Sequence, residues 1–343
     1  MKAAQWDPAQ QKVVVNEVPK PSPGPGQFLI RLASASLCHS DLMSMAMPHE
    51  KPITIGHEGA GYIEEIDPAA ENKGFKVGEG VGFTYIVNYC DECEGCAVHN
   101  NHCLTKKSRV HGFDEPGLFA EYAAVDATSC ITLPEELSPE TSSPIFCGGI
   151  TAFHCVDSCE LQPGQWLVII GCGGLGQLAV QYAKAMGFKV VGIDINDEIL
   201  ATAKSQGADS VFNSRSNPNY IEEAKDFMDR GPNKGADAVA VFSAATAAYK
   251  SAPPLVKLGG IIMVVGLPAA GVTFDALDIA RGTYRVKGDS TGIPRRMKKA
   301  IDFTAKHHIK PEIETHKSLD AVNGMVERMK KGELTKRQVV QFV

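Results

Sequence analysis

The sequence predicts two domains of different class, one β-rich and barrel-like, the other α/β and built on a parallel sheet. Three observations carry this expectation. The chain has 343 residues, more than a single hydrophobic core usually serves. Up to about residue 147 it reads as short strands separated by turn signals, the texture of an all-β domain whose loops carry the chemistry. Beyond that point near-continuous apolar strands alternate with helical stretches, the pattern of a parallel sheet covered on both faces.

Taken in order, residues 3–6, 12–17 and 28–35 are strand-like, and a Pro/Gly-rich link at 19–26 joins the latter two. Residues 52–55 read as a β-edge, and 59–66, 80–84 and 120–125 continue the strand pattern. In the second part, 166–170 is an apolar strand followed by a glycine-rich turn and a helical stretch through Met186. A second strand over 188–195 brings Asp194 to its end, and further strands follow at 209–213, 237–243 and 260–267. After Tyr284 come one more strand, helices around 295–307 and 319–331, and a terminal strand at 338–343. No internal repeat or low-complexity tract is present.

Composition excludes several classes of function. A hydrophobic content of 44%, a charged content of 22% and a net charge of −6 are ordinary for a globular enzyme. No basic run dominates, which argues against non-specific binding to nucleic acid or an anionic membrane. The mild groups Arg295-Arg296 with Lys298-Lys299, and Lys330-Lys331, read as solvated helix faces. The N-terminus has no apolar signal-like segment, and no apolar run reaches membrane-spanning length. The expectation is a cytoplasmic protein, and in that compartment ten cysteines point away from a disulfide framework.

Three constellations carry chemistry. Gly171, Gly173 and Gly176 form G-x-G-x-x-G after a strand and at the start of a helix. Gly171 permits the tight turn, Gly173 lets a pyrophosphate approach the backbone, and Gly176 lets the helix pack on the strand. The amides opening the helix, with Gly174 and Leu175 among the turn residues, favour phosphate. Asp194 lies at about the expected separation for a ribose-binding acid and would repel a 2′-phosphate, so NAD rather than NADP is expected. The competing reading is a glycine turn in some other α/β protein.

Cys90, Cys93, Cys96 and Cys103 are spaced C-x2-C-x2-C-x6-C within one loop, a set that satisfies a tetrahedral, closed and therefore structural zinc. A metal cross-link is a plausible source of order in a loop with little apolar content. Two disulfides are the alternative, and His99 or His102 could replace one thiolate, although four cysteines are the simpler set. The third constellation is Cys38-His39-Ser40-Asp41 with Gly56-His57-Glu58-Gly59-Ala60-Gly61. Cys and His are zinc's preferred ligands, yet a lone histidine between small residues is more often structural.

Taken with Cys147-Gly148-Gly149-Ile150-Thr151, these motifs resemble the zinc-containing alcohol dehydrogenases of the medium-chain dehydrogenase/reductase family over essentially the whole chain, the yeast-type and cinnamyl-alcohol-type members being nearest. The resemblance implies a GroES-like β-barrel catalytic domain over 1–147 and 285–343, a Rossmann domain with a six-stranded parallel sheet over 148–284, and an active site in the cleft. It implies Cys38, His57 and Cys147 as ligands of a catalytic zinc with an open fourth position, and Glu58 as an acid able to bind that metal transiently. Asp41 is implied as the carboxylate that orients the histidine, and Ser40 as the hydroxyl that takes the alcohol proton. His39 and Arg337 are implied at the pyrophosphate.

The implied activity is reversible oxidation of a primary or secondary alcohol to an aldehyde or ketone, with zinc as Lewis acid and NAD as hydride acceptor. Two zinc ions per chain and a homo-oligomer, a tetramer rather than a dimer, come with the resemblance. A polyol dehydrogenase of the same family and a non-catalytic NAD-binding relative are the alternatives. Polyol enzymes commonly carry an acid in place of Cys147, and a non-catalytic relative should not keep all three metal ligands.

The sequence also departs from the family. Met43 stands where many relatives have the histidine that ends a proton relay, so the relay is expected to stop at the ribose hydroxyl and water or to turn through His39. Met43, Met45 and Met47, with Tyr85, stand where yeast-type enzymes narrow the pocket with tryptophan. A roomier pocket for aromatic or branched primary alcohols is expected, the alternative being that the methionines fill core gaps. The cysteine loop is one residue shorter than usual before Cys103. Cys130, Cys155 and Cys159 receive no role, and Cys172, inside the glycine turn, is a candidate for oxidative control of cofactor binding.

Overall fold

In the computed structural model, residues 1–228, 231–291 and 294–342 are described; Val343, the expected end of the last strand, lies outside them. The chain divides into two compact units, Met1–Ile150 with Thr291–Val343, and Thr151–Ser290. Among the described residues no helix is long and apolar enough to cross a membrane.

The first unit is organised on the strand Gln27–Ser36, in which only Arg31 is exposed. One edge pairs antiparallel with Glu58–Ile66. The other edge is shared, Gln27 to Arg31 pairing with Tyr122–Asp126 and Ser34 to Ser36 with Arg337–Gln341. This division draws the C-terminal end of the chain into the N-terminal sheet. The sheet continues through Gly80–Phe83 and Cys130–Thr132 on one side and Ile313–His316 on the other. Phe28, Ile30, Leu32, Phe83, Phe119 and Val326 lie in its core, where burial of each large side chain contributes about 1.5–3 kcal/mol.

Two helices interrupt a region whose sequence reads as strand and loop, His39–Ala46 and Glu94–Val98. The first starts where it does because Asp41, in its first turn, accepts a hydrogen bond from the Cys38 amide at 2.8 Å, satisfying a donor that the helix start leaves without an intrahelical partner.

The second unit is the six-stranded parallel sheet that the sequence predicts. Its strands run Ser210–Asn213, Lys189–Asp194, Trp166–Ile170, Ala236–Val241, Val256–Val264 and Tyr284–Gly288. Numbered along the chain this is the order 3-2-1-4-5-6. It reverses at the first strand, the switch point where doubly wound folds bind nucleotides. Trp166–Ile170 and Ala236–Val241 are buried almost throughout, as a sheet covered on both faces requires.

The fifth strand begins earlier than its sequence suggests. The strand expected from residue 260 starts at Val256, so that Gly259 and Gly260 lie inside it, beside a register shift opposite Ala236 and Ala238. The unit boundaries fall a few residues beyond 147 and 284. Tyr284–Gly288 is the reason at the second boundary, since it pairs with Val256–Val264 and completes the parallel sheet.

Candidate metal centre and cofactor turn

Cys38 precedes the helix His39–Ala46, and His57 and Glu58 stand at the start of the strand Glu58–Ile66. Cys147 follows the short turn Ser143–Phe146, with its carbonyl accepting from the Thr291 hydroxyl at 3.1 Å. These three segments bring one ligand atom each from Cys38, His57, Glu58 and Cys147 within 4.8 Å of one another. All four residues are buried.

His57 fits a metal closely. Its Nδ1 is held by Asp41 Oδ1 at 2.7 Å, while Nε2 is buried with no hydrogen-bond partner. A buried imidazole nitrogen without a partner is costly, whereas an Nδ1–H donated to a carboxylate with Nε2 left free is the arrangement of a metal-bound histidine. Cys38 is held well below the ordinary thiol range, first because the Cys147 thiol donates to it and then, against burial, because of His57. Cys147 is correspondingly pushed up.

Glu58 belongs to the cluster but is restrained. Its Oε2 accepts from the Ser36 hydroxyl and from Arg337 Nη2, and Oε1 is buried without a partner. Burial raises its carboxyl to about 7, against the pull of the guanidinium. Arg337, expected at a pyrophosphate, is buried, with Nη2 on Glu58 and Nε without a hydrogen-bond partner. His39 is exposed at the helix start.

A cavity of about 260 Å³ includes His57 and Ser40 in its lining. Of the four residues expected to line a substrate pocket, Met47 and Tyr85 do so. Met43 is 51% exposed, and Met45 is buried in the core of the unit. The sequence reading missed Val110 and Phe113, which complete the apolar lining, and Asn101 and Asp114, which are polar. The rings of Tyr85 and Phe113 stand edge-on to His57, centroids 5.1 and 6.0 Å away.

The four-cysteine loop is equally well formed. One sulfur from each of Cys90, Cys93, Cys96 and Cys103 lies within 4.8 Å of the others. The Cys90 to Cys96 and Cys103 to Cys90 separations are 3.9 and 3.6 Å. A tetrahedron with Zn–S bonds of about 2.3 Å has edges of about 3.8 Å. The residues therefore fit the ion. Backbone amides aim at these sulfurs, from Cys90 and Lys106 to Cys103 and from Leu104 to Cys93, at 3.2 to 3.4 Å. Burial opposes ionisation of Cys103, but these amide donors bring it down to about 5. His99 Nδ1 is instead used locally, accepting from the Asn101 amide.

In the second unit the glycine turn has the form its spacing predicts. Gly171 has φ +90°, and a Cβ there would meet the Ser243 amide at 2.7 Å. A Cβ on Gly176 would lie 2.1 Å from the Gly171 carbonyl oxygen, while the space beside Gly173 is open. Gly173 precedes the helix Gly174–Ala185 and provides no side-chain cap, so the first amides are left for an anion. Asp194 Oδ2 accepts from the Cys172 amide at 2.8 Å, and Oδ1 accepts from Ile195 and Asn196. The acid thus braces the turn as well as ending its strand.

Cys172 does not suit the oxidative role considered for it. It is wholly buried, and burial pushes its thiol up, the reverse of what a redox-sensitive cysteine needs. Cys130, Cys155 and Cys159 are buried as well, and none of the ten cysteines is in a disulfide.

Two family models match the chain, the alcohol dehydrogenase GroES-like domain over residues 24–135 and the zinc-binding dehydrogenase domain over residues 174–306. An alcohol dehydrogenase of Geobacillus stearothermophilus is 33% identical over 345 aligned residues, covering 99% of both proteins. The crystal structure of the alcohol dehydrogenase of the hyperthermophilic archaeon Aeropyrum pernix matches with a TM-score of 0.88 at 28% identity, over 99% of this chain and 100% of that one. Acetophenone reductase from Geotrichum candidum, solved in complex with NAD, matches with a TM-score of 0.85 at 26% identity, over 99% and 96% of the two chains.

Proposed function

The chain belongs to the zinc-type alcohol dehydrogenases of the medium-chain dehydrogenase/reductase family, and from that premise we propose that it oxidises primary alcohols with aromatic or branched bodies, uses NAD in preference to NADP, and holds two zinc ions per chain. It acts in the cytoplasm, a reading from the sequence's apolar patterning, and as a homo-oligomer, a reading that rests on the family resemblance. The observation that carries the site assignment is the convergence of Cys38, His57 and Cys147 around an imidazole nitrogen with no partner in the protein.

When bound, zinc supplies Lewis acidity that eases loss of the alcohol proton, and the nicotinamide supplies the hydride acceptor. The protein's own residues do the rest. Asp41 fixes the tautomer and direction of His57. Ser40 shares the cavity with His57 and is the hydroxyl available to receive the alcohol proton. Ser36 and Arg337 hold Glu58 back from the metal ligands while leaving Oε1 uncommitted, which suits an acid that enters the coordination sphere only transiently. Cys90, Cys93, Cys96 and Cys103 hold the second ion in a closed set that stabilises the loop rather than acting on substrate.

The open space at Gly173 and the uncapped helix start favour a pyrophosphate. The Asp194 carboxylate favours ribose hydroxyls and repels a 2′-phosphate. His39 is exposed at its helix start, and the role proposed for it at a pyrophosphate rests on the sequence resemblance. Exposed Met43 cannot carry a proton, so Ser40 would pass the proton toward solvent without that side chain, with exposed His39 the titratable group beside it in the sequence.

Metal analysis combined with a substrate panel tests the proposal. About two zinc per chain is expected, with kcat/KM for benzyl alcohol above that for ethanol and at least ~10-fold higher with NAD than with NADP. A clear preference for ethanol or for NADP overturns the corresponding part.

A further inference from the structure

We propose that the preferred alcohols carry a hydrogen-bond donor, cationic by preference, at the end remote from the carbon that is oxidised. The inference rests on the alcohol dehydrogenase reading above and deepens it. The cavity at His57 has linings of unlike chemistry. Met47, Tyr85, Val110 and Phe113 make it apolar, and the two aromatic rings stand edge-on to His57, which suits a flat hydrocarbon body near the reacting end. Asn101 and Asp114 line the same cavity but are exposed, so it reaches from the buried histidine to a polar opening.

Neither polar side chain is spent elsewhere. The nearby ion pair joins Arg109 to Glu115 and leaves Asp114 out, and among the described residues no hydrogen bond or ion pair engages the Asp114 carboxylate or the Asn101 carboxamide. Both are nonetheless held in place by their backbones. Asp114 sits in a tight turn, its amide donating to the Val110 carbonyl at 3.0 Å while the Gly112 amide donates to Glu115 at 2.9 Å. The Ser44 hydroxyl ties Gly112 to the helix that carries Ser40. Asn101 lies two residues before Cys103, with its carbonyl accepting from the Ser108 hydroxyl at 3.1 Å and its amide donating to His99. The backbone at both positions is thus fixed, so a bound donor has only the two side-chain rotamers to order.

A carboxylate in the cavity sets the sign of the selection. An ammonium or hydroxyl group can donate to Asp114 and Asn101, a carboxylate is repelled, and an unsubstituted ring leaves both acceptors to water. A hydrogen bond that involves a charged group is worth about tenfold in affinity. The four-cysteine loop then has a second consequence, because the chain it orders presents Asn101 to the substrate.

The test uses the zinc-loaded, full-length enzyme with benzyl alcohol, 4-(aminomethyl)benzyl alcohol and 4-carboxybenzyl alcohol. kcat/KM is measured with NAD, and Kd is measured by calorimetry without NAD. The amine is expected to exceed benzyl alcohol by about tenfold in both readouts, and the acid to fall below it. Asp114→Asn should bring the amine-to-benzyl ratio to within about twofold of one, and Asp114→Lys should invert the order of amine and acid. A wild-type ratio near one, or a ratio that survives Asp114→Asn, overturns the proposal. A tenfold ratio in Kd without turnover of any of the three supports it and overturns the alcohol-oxidation reading instead.

Discussion

Asp41 serves the helix and the metal cluster with the two oxygens of one carboxylate. Oδ2 receives the Cys38 amide and so starts the helix, and Oδ1 receives His57 Nδ1 and so points Nε2 at the cluster. The two tasks separate in variants. Asp41→Asn keeps the shape and one acceptor but loses the charge, and zinc affinity measured by chelator competition is expected to fall about 10–100-fold with secondary structure intact. Unchanged affinity would show that His57 is oriented by packing alone. At this scale the cysteine and histidine motifs stood out, but their expected role as ligands came from the family resemblance, because a lone histidine between small residues is more often structural. The methionines were not legible, because their positions depend on a helix that the sequence did not announce. Met43 and Met45 are two residues apart, about 200° around a helix, so one faces solvent and the other the core. Met47, at the helix end, is the one of the three that lines the cavity.

Elements differ in how much of their placement is local. The parallel sheet was legible because its apolar strands alternate with helices at short range and because crossover connections permit few orders. The four-cysteine loop was legible because all its ligands lie in one segment. The C-terminal elements are a different case, since their order rests on contacts among three of them. Glu314, on the strand Ile313–His316, accepts from Arg328 at 2.7 and 3.1 Å, where Arg328 belongs to the helix Val322–Lys330, and from Gln338 on the last strand at 3.0 Å. Arg328 first and Gln338 second draw its carboxyl down to about 2. The folded value lies below the ordinary ~4.3, so the stabilisation is complete above about pH 4.3 and is lost as pH falls through about 2. Glu314 is 38% exposed, and solvent screening limits the contribution to about 1 kcal/mol. Glu314→Gln is therefore expected to lower the urea midpoint at pH 7 and to converge with the wild type as the pH approaches 2. Equal midpoints at pH 7 would show that the ion pair does not hold these elements together.

At the scale of the whole molecule, the metal cluster depends on the far end of the chain. Arg337 and Glu58 are 279 residues apart in sequence and form a buried ion pair, 6% and 0% exposed. No sequence pattern announces such a pair, because each residue is locally an ordinary charge on a strand. What brings them together is the shared edge of Gln27–Ser36, which takes Arg337–Gln341 beside Ser34 to Ser36 while Glu58–Ile66 occupies the opposite edge. Closing the sheet with the last strand thus delivers the cation that a buried glutamate needs beside two thiols. Removing one member of a buried pair costs about 3–5 kcal/mol, because the other charge is left unpaired. Arg337→Met is expected to lower stability by that amount and to leave Glu58 competing with Cys38, His57 and Cys147 for the metal. Glu58→Gln in the Arg337→Met background removes the stranded charge and should restore most of the stability, whereas Glu58→Gln alone should not stabilise the protein. Denaturant unfolding of the zinc-loaded wild type, both single variants and the double variant decides the matter: additive losses would mean that the strand, and not the charge it carries, secures the cluster.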